Sequence, residues 1–359
     1  RGGQMKAPTD EGVIHWLNQC HFGDCLETLR QMPDGIAQTC VTSPPYFGLR
    51  DYGHDGQIGL EATPDEFIAK LVDVFCEVRR VLRDDGTLWL NIGDSYAGGG
   101  TVGRNDAGRD IGGGGNKLGS GNPGQQGARQ AVVGLKPKDL IGIPWLLAFA
   151  LRADGWYLRQ EVIWAKPNPM PESVTDRCTK SHESIFLLAK SEKYYFDNGA
   201  IKEPAAQSSI QRWSQDLEQQ IGSDRVPGKT NGNMKAVGGR GGKNAFRGQG
   251  YHREGASGPA NREGRDMQNV GAGENRNKRS VWTVATTPYK GAHFATFPPA
   301  LIEPCILAGA PVGGVVIDPF FGSGTTGQVA QQLGRAFVGC ELNPSYKALQ
   351  DERLRQPSL

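Results

Sequence analysis

At 359 residues the chain is long for one domain, which predicts a large α/β body with an inserted or appended module. No apolar run approaches the roughly 20 residues of a membrane span, since LIGIPWLLAFAL (140–151) is too short and contains Pro144. The seven cysteines include no CxxC pair, so a disulfide framework and a zinc site are not expected, and the economical reading is a reduced, cytoplasmic protein.

Charge is distributed unevenly. The net value is +2, yet residues 207–279 hold 13 lysines and arginines against 7 acidic residues, a local +6 on a mildly acidic body. A basic, glycine-rich segment of this kind fits either a polyanion partner or a solvated loop.

Arg1–Gln4, ahead of Met5, reads as a cloning remnant. In chain order, strand-like apolar runs are predicted around HWLNQ (15–19), AQTCVTS (37–43), GTLWLNIGD (86–94) and QEVIWAKP (160–167). Three more follow at SIFLLAK (184–190), GGVVIDPF (313–320) and AFVGCEL (336–342). Between them, 64–83 carries apolar residues at three-and-four spacing after Thr63, with acids in its first turn, and a second helical pattern runs through 139–152. Strands alternating with helices predict a mainly parallel sheet covered on both faces. Two stretches break the rhythm. Residues 97–134, rich in Gly, Asn and Gln, are expected to form a mobile loop, and 203–280 opens with a helical pattern at 207–221 before a Gly/Arg/Asn tract that reads as the inserted module.

The run IAQTCV (36–41) leads into TSPPY (42–46). Two prolines neither continue a helix nor donate to a sheet ladder, so the strand ends in a rigid, donor-poor turn with a hydroxyl before it and an aromatic ring after it. A second informative stretch is VVIDPFFGSGTTG (315–327), in which a strand ends in an acid, then a glycine turn, then a helix from about Thr325. Backbone N–H groups at such a helix start form a ligand-binding corner. GSGTTG fits the GxGxxG of dinucleotide enzymes, with Glu341 after the next strand, which would make an NAD-dependent oxidoreductase. A P-loop would need a lysine where Gln328 stands. The third reading is an S-adenosylmethionine site, with Asp318 facing the methionine ammonium and Glu341 accepting from the ribose hydroxyls. Asp318 favours this last reading, because a pyrophosphate would not welcome a carboxylate so close.

Taken together, TSPPY and DPFFGSGTT resemble the catalytic and cofactor signatures of bacterial and phage DNA amino-methyltransferases, which methylate adenine N6 or cytosine N4. HWLNQCHFGDCLETL, IWAKPNPMPES (163–173), RCTKSHESIFLLAKS (177–191), HFATFPPALIEPCI (293–306) and GRAFVGCELNPSY (334–346) fit the same family. The likeness covers nearly all of the chain outside the two glycine-rich tracts, and its motif order is that of the β class. It implies a Rossmann-like, doubly wound α/β sheet of about seven strands with an antiparallel edge hairpin. A catalytic half (5–202) and a cofactor half (286–359) would flank a target-recognition region (203–285). It further implies S-adenosyl-L-methionine as cofactor, double-stranded DNA as partner, no metal, a homodimer by default, and a bacterial, nucleoid-associated setting in DNA methylation or restriction–modification.

Carried over by position, Ser43, Pro44, Pro45 and Tyr46 form the catalytic turn. Asp318, Phe320, Gly322, Ser323, Gly324, Thr325 and Glu341 hold the cofactor, Asp24 reaches its adenine ring, and His293, Ala295, Phe297 and Pro298 pack against its methionine end. Arg212, Arg240, Arg247 and Arg253 are candidates for DNA contacts. The chemistry suits these residue types. An exocyclic amine is a poor nucleophile, and acceptors aimed at its two N–H bonds stabilise the positive charge it develops on attack, which suits Ser43 Oγ and the Pro44 carbonyl. Tyr46 would stack on the base after it leaves the helix.

Serine ahead of PPY leans toward cytosine N4 in this family, although the target base stays open, as does an RNA acceptor. Pro304-Cys305 resembles the nucleophile pair of cytosine-C5 enzymes but lies in an apolar helical run, and so reads as a buried structural cysteine. His182-Glu183 reads as a structural hydrogen-bonding pair ahead of a strand.

Overall fold

The computed structural model describes residues 11–49, 54, 56–98, 134–208, 275–286 and 297–355. Most of the glycine-rich loop expected at 97–134, and nearly all of the helical pattern and basic tract of 207–279, lie outside the described residues. The chain divides into one unit formed by Arg1–Ala200 with Arg279–Leu359 and a second formed by Ile201–Lys278.

The sheet of the first unit holds, in spatial order, β1 (Gln19–Phe22), β10 (Ala336–Glu341), β9 (Val315–Asp318), β2 (Ala37–Thr42), β3 (Leu82–Ile92), β5 (His182–Ala189), β4 (Tyr157–Ala165) and β8 (Val281–Thr283). Every neighbouring pair is parallel except the two that involve β5. The expected antiparallel hairpin is therefore β4–β5, and β8 extends the sheet beyond it, giving eight strands among the described residues where about seven are implied. The first strand begins at Gln19 rather than His15. Asn18, at φ 59°, turns the chain just before it, and its N–H donates to Phe337 O at 2.7 Å. In the second unit, β6 (Glu203–Pro204) pairs antiparallel with β7 (Asn275–Arg276).

Helices cover the sheet in two groups. The short α1 (Glu11–Ile14) precedes β1, and α2 (Cys25–Gln31), α3 (Pro64–Val81) and α4 (Ile143–Ala153) pack side by side. On α3, Thr63 caps the start by accepting from Glu66 N at 3.2 Å, Pro64 opens the first turn, and Asp65 and Glu66 oppose Arg79 and Arg80 across the dipole. Its face of Phe67, Leu71, Val74, Phe75 and Val78 is buried, as the three-and-four spacing predicts. The second group is α5 (Pro299–Gly309), α6 (Thr325–Gln332) and α7 (Lys347–Leu354). All six residues of β2 are buried, because helices lie on both of its faces. Cys40, Leu88, Leu90 and Ile317 join the core beneath α2–α4, whereas Thr39 and Trp89 face α5. Among the described residues, no helix is long and apolar enough to cross a membrane.

Glycine at two positions is set by one ring. Phe321 stacks on Phe337 with centroids 5.3 Å apart and lies across the backbone of Gly327 and Gly339. A Cβ at Gly339 would come within 2.4 Å of Phe321 Cγ, and one at Gly327 within 2.6 Å of Phe321 Cζ. The final glycine of GSGTTG thus lets α6 approach the ring. Gly339→Ala should destabilise the protein by about 1–3 kcal/mol through overpacking, read as a lower midpoint in urea unfolding. An unchanged midpoint would show that Phe321 moves aside freely.

Candidate active site

Strands β2 and β9 run side by side, with Thr39 opposite Val316 and Cys40 opposite Ile317. Both deliver their C-terminal ends to one rim of the sheet, where open α/β sheets bind ligands. There the two informative stretches are joined through Asp318. Thr42 donates its hydroxyl to Oδ1 at 2.6 Å, Thr326 donates to Oδ2 at 2.6 Å, and Phe320 N donates to Oδ1 at 3.0 Å. Asp318 is only 1% exposed, and burial pushes its carboxyl up to about 6 despite these three donors, each of which favours the charged form.

A pocket opens beside this junction. Ser43, Pro44, Pro45 and Tyr46 line it together with Phe320, Gly322, Ser323, Asp24 and Glu341. Asp318, Gly324 and Thr325 do not line it. Asp318 stands behind the wall, holding the loop, and Thr325 turns its hydroxyl to the Arg353 guanidinium. Gly322 and Gly324 adopt left-handed φ values of 53° and 86°, which favour glycine and let the loop fold back toward the pocket. Ser323 Oγ is buried and has no hydrogen-bond partner among the described residues, a polar group on the pocket wall that a ligand would satisfy. Glu341 accepts from Gly322 N at Oε2 and Asn343 N at Oε1, each at 2.8 Å, and burial raises its pKa. Asp24 caps α2 by accepting from Glu27 N at 3.0 Å.

Tyr46 is half-buried at the pocket edge. Its ring lies against the backbone of Gly93, where a Cβ would come within 2.5 Å of Cε2, and its hydroxyl donates to Glu183 Oε2 at 2.7 Å. The side chain that reads in sequence as part of a structural pair therefore reaches the catalytic turn. Sequence reasoning also missed His54, Gln57 and Ile58, which line the pocket from the segment after the turn. That segment is tied down by Gly48 N donating to Gly59 O at 2.8 Å and by Gly59 N donating to Glu61 Oε2 at 2.8 Å.

The remaining expected residues divide clearly. Phe297 and Pro298 precede α5 and do not line the pocket. His293, Ala295, Arg212, Arg240, Arg247 and Arg253 lie outside the described residues. Cys305 is buried within α5, its thiol directed at Leu301 O at 3.7 Å, which fits a structural cysteine. Among the described residues no group of three or more His, Cys, Asp or Glu side chains is arranged to hold a metal ion.

Residues 37–352 match the family model for N6/N4 methyltransferases, described as DNA methylase. The chain is 42% identical over 348 residues to the type II methyltransferase M.SmaI of Serratia marcescens, covering 96% of this chain and 94% of that protein. It is 44% identical over 340 residues to the type II methyltransferase M.Cfr9I of Citrobacter freundii, covering 93% and 86%. In fold it is similar to PvuII DNA methyltransferase (cytosine-N4-specific), with a TM-score of 0.57 and 16% identity over 99% of this chain and 92% of that one. A Thermus thermophilus protein solved in complex with S-adenosyl-L-methionine is similar in fold at a TM-score of 0.50 and 21% identity, over 95% and 97% of the two chains.

The buried carboxylate has a consequence for stability. Asp318 has a folded pKa near 6 against an ordinary value of 3.8, so the folded state binds its proton more tightly than the unfolded state does. Its contribution to stability therefore falls as pH rises from about 4 to about 6, and the cost is complete above that. Asp318→Asn keeps the shape without the charge. Its stability relative to the wild type should improve by about 2 kcal/mol between pH 4 and pH 7, measured by urea unfolding across that range. A difference that does not change with pH would show that the group titrates normally.

Proposed function

Given that this chain belongs to the N6/N4 DNA methylase family and is a site-specific DNA amino-methyltransferase, we propose that it takes its methyl group from S-adenosyl-L-methionine and places it on N4 of a cytosine flipped out of duplex DNA. The observation that carries this reading is the meeting of TSPPY and the glycine loop around one pocket. The nicotinamide reading of GSGTTG is set aside by the family membership.

The pocket's chemistry suits the donor. Ser323 offers an unpartnered hydroxyl, and Gly322 and Gly324 keep side chains off the loop. Glu341 retains acceptor capacity for a ribose diol after its two backbone bonds. When bound, the donor supplies an electrophilic methyl group on a sulfonium. On the acceptor side, Ser43 Oγ and the Pro44 carbonyl take the two N–H bonds of the amine as its nitrogen turns pyramidal. These acceptors stabilise positive charge as it forms, the electrostatic inverse of an oxyanion hole. Pro44 and Pro45 bring no competing N–H donors, so the acceptors need not reorganise. Tyr46 supplies the face on which the base stacks. Cytosine is supported by the short neutral Ser43 ahead of the two prolines, since serine at this position leans toward cytosine N4 in the family.

Mass spectrometry of nucleosides from duplex DNA incubated with the protein and S-adenosyl-L-methionine should reveal N4-methylcytosine. N6-methyladenine in its place would overturn the choice of base, and neither product on diverse DNA would overturn the function. Ser43→Ala should lower kcat by about 10²–10³, the cost of removing one preorganised partner, while affinity for the donor persists in calorimetry.

A further inference from the structure

His182 and Glu183 open β5, and Glu183 collects three side chains from three different elements. Its Oε2 accepts the Tyr46 hydroxyl at 2.7 Å and Asn91 Nδ2 at 3.2 Å, while Oε1 accepts the Lys166 ammonium. The Glu183 and Lys166 side chains are only 14% and 18% exposed. Each partner is itself held. Asn91 Nδ2 also reaches Ser184 O at 3.3 Å, and the Lys166 ammonium sits 4.2 Å from the centre of the Trp164 ring. A tyrosine that served only as packing would need no more than a neutral acceptor. Holding a carboxylate and an ammonium largely out of water is costly unless their geometry is fixed on every side, as it is here. Hydrogen bonds to a charged acceptor are also shorter and stronger than neutral ones, so the phenol is held tightly.

The Tyr46 ring is thereby constrained from three directions. Its backbone follows the rigid Pro44-Pro45 pair, its hydroxyl is tied to Glu183, and Gly93 lies against the ring. We propose that Glu183, oriented by Lys166 and Asn91, is a positioning residue that fixes the plane of the Tyr46 ring. It thereby sets the depth at which the flipped base stacks and brings the base amine to Ser43 Oγ and the Pro44 carbonyl. This rests on the methyltransferase function stated above. Because methyl transfer is steep in the alignment of nitrogen and methyl, a small tilt of the ring slows the chemical step without disturbing the donor pocket.

The test compares wild type, Glu183→Gln, Tyr46→Phe and the double variant on the duplex that the wild type methylates. Single-turnover methyl transfer gives the rate of the chemical step, and calorimetry gives the affinity for S-adenosyl-L-methionine. Each single substitution should slow transfer by about tenfold or more, the loss expected for a hydrogen bond to a charged group. Donor affinity should be unchanged, and the double variant should be no slower than the worse single one within about twofold, since Glu183→Gln removes the charge from the hydrogen bond that Tyr46→Phe removes altogether. Full activity in either single variant, or losses that multiply in the double variant, would overturn the role. Should Glu183→Gln fail to fold, Tyr46→Phe decides, because it removes only the hydroxyl: a tenfold loss supports the contact and a normal rate refutes it. A wild-type chain that methylates no DNA would overturn the function itself, and this role with it, whereas an active wild type beside unaffected variants would overturn the role alone.

Discussion

Thr42, Asp318 and Thr326 make the contact on which the site depends. Two hydroxyls and one amide converge on a carboxylate closed off from water, joining residues as far as 276 positions apart in sequence. Hydrogen bonds to a charged acceptor contribute about 1.5–3 kcal/mol each, and burial opposes them by favouring the neutral acid. What results is a defined register between two strand ends more than a strong net stabilisation. The acceptor turn begins one residue after Thr42 and the glycine loop four residues after Asp318, so small displacements of the clasp reach both.

Parallel strands place their C-terminal ends on one side, which is why β2, β9 and β10 can supply Ser43, the glycine loop and Glu341 to one pocket. The antiparallel β5 contributes differently. Its register puts Ser184 opposite Ile92 at the end of β3, so its N-terminal end arrives at that same rim. A strand of reversed direction thus carries Glu183 to the catalytic turn, where a parallel strand in the same place would bring its other end. Direction within the sheet, as much as sequence, decides which side chains meet Tyr46.

Much of this is legible in the sequence because its causes are local. The buried strand before TSPPY, the amphipathic 64–81 helix with its Thr63 cap, and the glycine loop before α6 all announce themselves through periodicity or backbone chemistry. Asp24 also carried a local signal: an Asp three residues ahead of Glu27 is a common helix start, and it acts as one here. The signals failed where a contact spans the fold. No spacing rule marks Thr42 as a partner of Asp318, or Glu183 as a partner of Tyr46. Nothing local sets Gly339 apart from any other strand glycine, because the ring that lies across it belongs to Phe321. His54 and Gln57 sit in an irregular segment, and polar residues there have no period to betray which way they face.

The order of strands in the sheet also bears on how the protein comes to exist. Since β1 pairs with β10 and β2 with β9, that half of the sheet cannot close until the chain has been made through Glu341. Contacts this distant in sequence carry a high loop-closure cost and fold late. Until then one edge of β2, whose residues are all buried in the finished fold, is left unpaired and open to wrong association. A chain released early would carry the acceptor turn without a donor pocket. A chain that ends before β9 therefore lacks the glycine loop and Glu341, which share the pocket with Ser43.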